Sequence, residues 1–400
     1  MNTSGMDGKK VLIRVDFNVP LDASRNVTDD TRIQRALPTI KQVLESGAAV
    51  ILMSHLGRPK LISGQDNSEQ IEKNTLKHLV PHLSKMLERD VLFSTDTIGQ
   101  QAYDKSLNIA SGQVLLLENT RFEAGEKKGD DDMAAKLAKL ADFYINDAFG
   151  TAHRKHASTY TVAKYFEKEN RQLGLLMESE IESAHKVLKS PKRPLTSILG
   201  GAKVSDKIQL IEKLLDFTDH LLIGGGMSYT FIKAKQGAVG NSLVEDEHID
   251  LALELLRKAE AQNVTIHLPV DSVCADKFDK DANSKTFNSD SIEDNWMGLD
   301  IGPNAVAHFS KVIKESATIL WNGPLGVFEF EKFANGTNSI ANAVADATQN
   351  GAYSLIGGGD SVAAVNKAGL DDKVSFISTG GGAMLEFLEG KVLPGIAAVS

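Results

Sequence analysis

The chain has 400 residues, 42% hydrophobic and 24% charged, which is apolar material for two or three packed domains and excludes wholesale disorder. Its 44 basic and 53 acidic residues sum to −9, a balance that argues against a nucleic-acid binder, and its single cysteine, Cys274, rules out a disulfide framework or a cysteine-based zinc site. No apolar stretch reaches the roughly 18 residues of a membrane span and Met1–Lys10 has no secretion-signal core, so a cytoplasmic protein with neither nucleic-acid nor membrane partners is expected.

Along the chain, short apolar, β-branched runs alternate with helix-periodic segments. The runs are Val11–Val15, Ala49–Met53, Val114–Leu117 and Phe143–Ile145, then Ser197–Leu199, Leu221–Ile223, Thr265–Leu268, Thr318–Trp321, Ser354–Ile356 and Ser375–Ile377. A helix is expected at His248–Ala261, behind acidic residues that suit a helix N-terminus. Continuous apolar runs alternating with helices indicate parallel sheets covered on both faces, and ten strands are too many for one comfortable open sheet. Leu173, Met177, Ile181, Ala184 and Leu188 step by three and four, the pattern of one amphipathic helix, which Ser190-Pro191-Lys192-Arg193-Pro194 stops. The expected fold is α/β: two similar-sized, doubly wound parallel-sheet domains, 1–173 and 191–383, joined by a helix at 174–190.

Charge divides along the same line. Residues 1–173 carry 24 Lys and Arg against 23 Asp and Glu, whereas the remainder carries 20 against 30, and nine of eleven arginines lie in the first part. In doubly wound sheets ligands bind beyond the carboxyl ends of the strands. In the first half those ends are polar: Asp16-Phe17-Asn18 with Arg14 just before, Ser54-His55-Leu56-Gly57-Arg58, Glu118-Asn119-Thr120-Arg121, and Asn146-Asp147 leading to His153-Arg154, with Arg32 beyond the first strand. Converging arginines hold a small, multiply charged anion.

In the second half the ends are glycines: Gly200-Gly201, Gly224-Gly225-Gly226, Gly357-Gly358-Gly359 and Gly380-Gly381-Gly382, with Asn322-Gly323-Pro324 closing another strand. Backbone N–H groups exposed by glycine can hold phosphate without side-chain charge. No G-x-x-x-x-G-K-[ST] occurs, and Tyr229 breaks the dinucleotide fingerprint begun at Gly224. Lys203 and Lys207, spaced i, i+4 after Gly200-Gly201, are placed to reach phosphate oxygens from one face of a helix start. Asp360 suits Mg²⁺ or a helix N-cap, and one residue can do both.

The segments Arg14-Val-Asp-Phe-Asn-Val-Pro20, Ser54-His-Leu-Gly-Arg-Pro59, Glu118-Asn-Thr-Arg-Phe122 and Asn146-Asp-Ala-Phe-Gly-Thr-Ala-His-Arg154 are similar to motifs of the phosphoglycerate kinases. So are Gly200-Gly-Ala-Lys-Val204, Trp321-Asn-Gly-Pro-Leu-Gly-Val-Phe-Glu329, Gly357-Gly-Gly-Asp-Ser361 and Ser378-Thr-Gly-Gly-Gly382, in the family's order and along essentially the whole chain. The resemblance implies a monomeric glycolytic kinase that transfers phosphoryl between 1,3-bisphosphoglycerate and ADP. It implies 3-phosphoglycerate contacts at Asp16, Phe17, Asn18, Arg32, His55, Leu56, Gly57, Arg58, Arg121 and Arg154. It implies nucleotide contacts at Lys207, Gly298, Asn322, Glu329, Gly358, Gly359, Asp360 and Ser361, with Asp360 on the Mg²⁺ side.

By the same resemblance Arg32 and Lys203 flank the transferring group and a tail from 384 to 400 returns to the first domain; Gly357 and Gly380 are expected to add backbone N–H donors. Ser361 stands where many members have threonine, and Met384 where serine is common. The competing expectations are a dinucleotide-dependent oxidoreductase, disfavoured by the broken fingerprint, and a non-catalytic scaffold, disfavoured by the presence of Arg32, Lys203 and Asp360.

Overall fold

A computed structural model describes residues 1–400. The chain packs as two units. The first comprises Met1–Ile181 with Val392–Ser400 and the second Glu182–Lys391, so the division falls inside the helix Leu175–Leu188.

The first unit is built on a six-stranded sheet of β1 (Lys10–Val15), β2 (Ala49–Met53), β3 (Val91–Phe93), β4 (Val114–Leu116), β5 (Phe143–Asp147) and β6 (Arg171–Leu173), in the order β3-β4-β2-β1-β5-β6. Every pairing is parallel. All of β2 and all but the first residue of β1 are buried, because helices cover both faces. Alternate residues therefore feed two cores. Val11, Ile13 and Val15 pack on one side with Val50, Leu52 and the helix Thr31–Glu45, and Leu12 packs on the other with Ile51, Leu115 and Tyr144.

The second unit holds β7 (Leu195–Leu199), β8 (His220–Ile223), β9 (Ala238–Val239), β10 (Thr265–His267), β11 (Asp271–Ala275), β12 (Ser284–Asn288), β13 (Ser291–Ile292), β14 (Met297–Ile301), β15 (Thr318–Asn322), β16 (Tyr353–Gly357) and β17 (Phe376–Ile377). Six of these form a second parallel sheet in the order β10-β8-β7-β15-β16-β17. An antiparallel sheet, β12-β11-β14, and the pair β13-β9 are added to it.

All ten expected runs are strands; β3 and β6 of the six-stranded sheets and the five strands of the two smaller sheets were not expected. β3, Val91–Phe93, is only three residues long, and β6 reads Arg-Gln-Leu, which contains no apolar run. Leu173, expected in the joining helix, ends β6 instead, and the helix starts at Leu175 after Gly174. The helix expected at His248–Ala261 runs from Ile249, with a 3₁₀ turn at Asp246–His248 before it.

The returning tail is shorter than expected. Residues 384–391 stay with the second unit because the helix Gly382–Leu388 buries Met384 and Leu388 and packs beside the helix Ile208–Leu215. Only Val392–Ser400 joins the first unit. There Gly395 N donates to Ala152 O at 2.8 Å, Asn146 Nδ2 donates to Gly395 O at 3.0 Å, and Val399 enters the core beside Leu12. No helix is long and apolar enough to cross a membrane.

Candidate functional site

In the first unit the chain runs outward from β1 to β2 and on to β3 and β4, then returns to the other side of β1 with β5 and β6. The order of strands therefore switches between β1 and β5, and residues past the carboxyl ends of the strands line the crevice that results. Asp16 and Asn18 leave β1 there, and Arg32, in the first turn of the helix Thr31–Glu45, reaches back to them. Its NH1 donates to Asn18 O at 3.0 Å and to Asp16 Oδ2 at 3.3 Å. Asn18 Oδ1 accepts from Gly57 N at 2.8 Å, and Arg121 donates to Gly57 O, which ties the ends of β1, β2 and β4 into one rim. Gly57 has φ +63°, a left-handed conformation that favours glycine.

His55 is buried, and Arg14 NH2 lies 3.2 Å from its Nδ1. A guanidinium only donates, so Nδ1 accepts and the ring is neutral with its proton on Nε2. Burial, then Arg14, Arg121 and Arg32, hold its pKa well below the usual histidine range. Burial, with Arg14 and Arg154, likewise brings Arg121 down to about 10, while Glu126 and Asp16 oppose that fall. Arg58 and Arg154 are exposed, and Arg154 Nε donates to His153 Nε2 at 3.1 Å. Arginines thus face one another with few carboxylates between them, an arrangement that favours a multiply charged anion.

Two residues expected at this rim serve it from beneath. The side chains of Phe17 and Leu56 lie in the core, packed with the residues of β1 and β2 that face the helix Thr31–Glu45. Their backbones are also engaged: Phe17 N donates to Ser54 Oγ at 2.8 Å, and Leu56 O accepts from Asn119 Nδ2 at 2.8 Å.

The second sheet repeats the design. Its order switches between β7 and β15, and the segments Gly200-Gly201 and Asn322-Gly323-Pro324 leave those two strands side by side. A methyl group on Gly200 would collide with the carbonyl oxygen of Pro324, so the two loops approach this closely only with glycine there. Beside them opens a cleft of about 500 Å³, within the usual range for small-molecule sites. It is lined by Gly201, Gly225, Gly226, Pro324 and Asp360, by the apolar side chains of Leu243, Phe278, Met297 and Leu299 with Gly298 among them, and by the exposed Glu329. Gly298 is required by packing as well, since a side chain there would meet the Tyr229 hydroxyl.

Gly358, at φ +85°, turns the chain from β16 into the helix Gly359–Lys367, whose first turn carries Asp360. Helix N-termini present unpaired N–H groups and favour anions. Asn322 Oδ1 accepts from Lys207 Nζ at 2.7 Å, and Asn322 O accepts from it at 2.9 Å. The Asn322 Nδ2 group, directed at Gly358, is buried without a partner. Burial lowers Lys207 to about 8, while Asp360 and Asp206 pull the other way.

Several expectations here need correction. Lys203 and Lys207 do not share a helix face: the segment is irregular up to a 3₁₀ turn at Ser205–Lys207, Val204 is anchored in the interior, Lys203 is exposed and Lys207 turns inward. Ser361 is wholly buried, donating to Gly357 O at 2.9 Å and accepting from Gly323 N at 2.6 Å, so its hydroxyl braces the two loops. The Gly380 N–H donates to Ser378 Oγ at 3.0 Å and is not free for a ligand. Gly357 ends β16 in the interior with Met384 nearby, and Gly359 stands open at the helix start.

Sequence reasoning missed the apolar wall of the cleft. Phe278 is 64% exposed, with its ring centroid 5.3 Å from that of Phe330, and nothing in its neighbours marks it. It also missed Glu126 and Ser158 behind the rim; a glutamate in a charged stretch, Glu123–Asp132, looks like surface.

The family model for phosphoglycerate kinase matches residues 1–391. A phosphoglycerate kinase of Porphyromonas gingivalis is 50% identical over 98% of this chain and 97% of its own length, and the cytosolic phosphoglycerate kinase 3 of Arabidopsis thaliana is 51% identical over 100% and 97%. The solved structure of phosphoglycerate kinase from Coxiella burnetii superposes with a TM-score of 0.87 at 43% identity, covering 98% of this chain and 96% of that one.

Proposed function

The chain belongs to the phosphoglycerate kinase family, and from that premise we propose that it catalyses 1,3-bisphosphoglycerate + ADP ⇌ 3-phosphoglycerate + ATP, with the glycerate on the first unit and the nucleotide on the second. The observation that carries the assignment of sides is the pairing, in one chain, of an arginine rim and a glycine-lined cleft, each at the switch point of its own sheet. Arg32, Arg58, Arg121 and Arg154, with the Nε2–H of neutral His55, would bind the glycerate's carboxylate and phosphate. The apolar side chains of Leu243, Phe278, Met297 and Leu299 suit the face of a base, and the lining glycines suit phosphates.

The residues present fit a divalent cation brought in with the nucleotide. Asp360 lines the cleft and offers one carboxylate, the unpaired Asn322 Nδ2 group is a donor suited to a nucleotide phosphate, and Mg²⁺ is usually held by one or two carboxylates together with substrate phosphates. When bound, Mg²⁺ offsets charge on the nucleotide phosphates.

Attacking and leaving oxygens are both already anionic near neutral pH, so no general base is required. Catalysis then consists of holding two polyanions in line and neutralising charge on the group in transit. Arg32 and Lys203 would take that role, with the Lys207 ammonium fixing the Asn322 loop. The reaction calls for a closing step that excludes water, and the helix Leu175–Leu188 carries the chain from one unit to the other. We place the protein in the cytoplasm as a monomer.

The test is a coupled assay with 3-phosphoglycerate and ATP in the presence of Mg²⁺. Turnover that requires both substrates is the expected result. Tight binding of both without turnover would overturn the reading in favour of a scaffold.

A further inference from the structure

Behind the arginine rim lies a carboxylate that the reaction as described does not use. Glu126 and Arg14 are both wholly buried, and a single hydroxyl joins them. Arg14 Nε donates to Ser158 Oγ at 2.8 Å, and Ser158 Oγ donates to Glu126 Oε1 at 2.6 Å. The other carboxylate oxygen accepts from Ser158 N at 3.0 Å, and the Glu126 carbonyl accepts from Ala157 N at 2.9 Å.

The direction of every bond in this chain is forced. A carboxylate that accepts on both oxygens makes the Ser158 hydrogen point toward Glu126, which leaves an oxygen lone pair for Arg14. Arg14 then donates to the Val15 carbonyl through NH1 and faces His55 Nδ1 with NH2. His55 is left with its proton on Nε2. The negative charge of Glu126 thus reaches a rim histidine through three hydrogen bonds. It also opposes the mutual repulsion of Arg14, Arg121 and Arg154.

We propose that Glu126, acting through Ser158, is a positioning residue for the phosphorylated glycerate, fixing Arg14 and the Nε2–H tautomer of His55 before the ligand arrives. Buried hydrogen-bonded chains of this kind act as a unit, and loss of one member leaves the remaining charges buried and misdirected. The inference rests on the kinase reading for the identity of the ligand. A purely scaffolding Glu126, clamping the segment Ala157–Ser158, would alter stability and leave ligand affinity in the folded protein unchanged.

The experiment is a double-mutant cycle of Glu126→Gln and Ser158→Ala in the full chain. It is read as the Kd of 3-phosphoglycerate by calorimetry, with the Kd of MgADP as the internal control and wild-type turnover measured alongside. Each single variant is expected to weaken 3-phosphoglycerate binding about tenfold, the double variant no more than the weaker single, and MgADP binding is expected to stay within about twofold.

The Arg14 Nε–H resonance, slow to exchange in the wild type, is expected to exchange rapidly in Ser158→Ala. Affinity for 3-phosphoglycerate unchanged in Ser158→Ala, or effects that simply add in the double variant, would overturn the proposal. Ser158→Ala removes only a hydroxyl and decides the matter if Glu126→Gln does not fold. A wild type that binds 3-phosphoglycerate without turning over overturns the kinase reading and leaves the affinity comparison intact.

Discussion

Lys203 and Lys207 stand four residues apart yet meet opposite surroundings, and their expected behaviour differs accordingly. Lys203 is exposed and free to move onto charge that develops during transfer. Lys203→Ala should lower kcat by roughly a hundredfold or more, with the nucleotide KM little changed; a near-normal kcat would remove it from the catalytic set. Lys207 is held under the Asn322 loop and titrates at about 8. Its protonated form is the one that favours bound phosphates. The kcat/KM for nucleotide should therefore fall as pH rises through about 8, and Lys207→Arg, which stays charged, should flatten that limb. A profile identical in both proteins would mean that another group titrates there. His55 should stay neutral at pH 7, because burial and three arginines hold it well below the usual histidine range.

At the level of elements, the tail Val392–Ser400 and the loop after β5 depend on each other. Leu393 and Val399 bury apolar side chains, while Gly395 exchanges hydrogen bonds with Ala152 and Asn146. A side chain on Gly395 would press tightly against the Ala152 backbone and Asn146 Nδ2. The same loop carries His153 and Arg154 to the rim. Deleting the tail should lower the Tm of the first unit by roughly 5–10 °C and weaken 3-phosphoglycerate binding, while MgADP binding to the second unit persists. Calorimetry on the truncated chain checks this, and an unaltered first-unit transition with full 3-phosphoglycerate affinity would count against it.

Across the whole molecule, buried carboxylates make stability depend on pH in an unusual direction. Burial raises Asp300 to about 8, although it accepts from Gly336 N at 2.7 Å and Ile301 N at 2.9 Å, and burial raises Asp147 to about 6. The unfolded chain releases these protons near pH 4, and the folded chain keeps them to about 6 and 8. Between pH 4 and 8 the native state therefore binds more protons, and stability falls as pH rises, by at most about 1.4 kcal/mol per pH unit for each group. Chemical denaturation at pH 5, 6.5 and 8 should show this slope for the second unit, and Asp300→Asn should remove most of it. An unchanged slope in that variant would assign the dependence elsewhere.

The ten strand runs, the two-part organisation, the split of arginines from glycines and the family were all legible in the residue order, because each is carried by local pattern: short apolar, β-branched runs for the strands, and fixed motifs at their carboxyl ends. β3 was not legible because a three-residue run is too short to stand out, nor was β6, because Arg-Gln-Leu holds no apolar run. Nor was the fate of individual side chains at the sites. Phe17, Leu56 and Ser361 sit inside motifs that a ligand would be expected to touch, and packing turns them inward. Glu126 sits in a charged stretch and is buried, because Ser158, 32 residues away in sequence, meets its carboxylate behind the rim. Local chemistry determined what each strand end offers. Only the crossing of distant segments decided which polar groups lost their water, and with it which of them titrate, brace or remain free to bind.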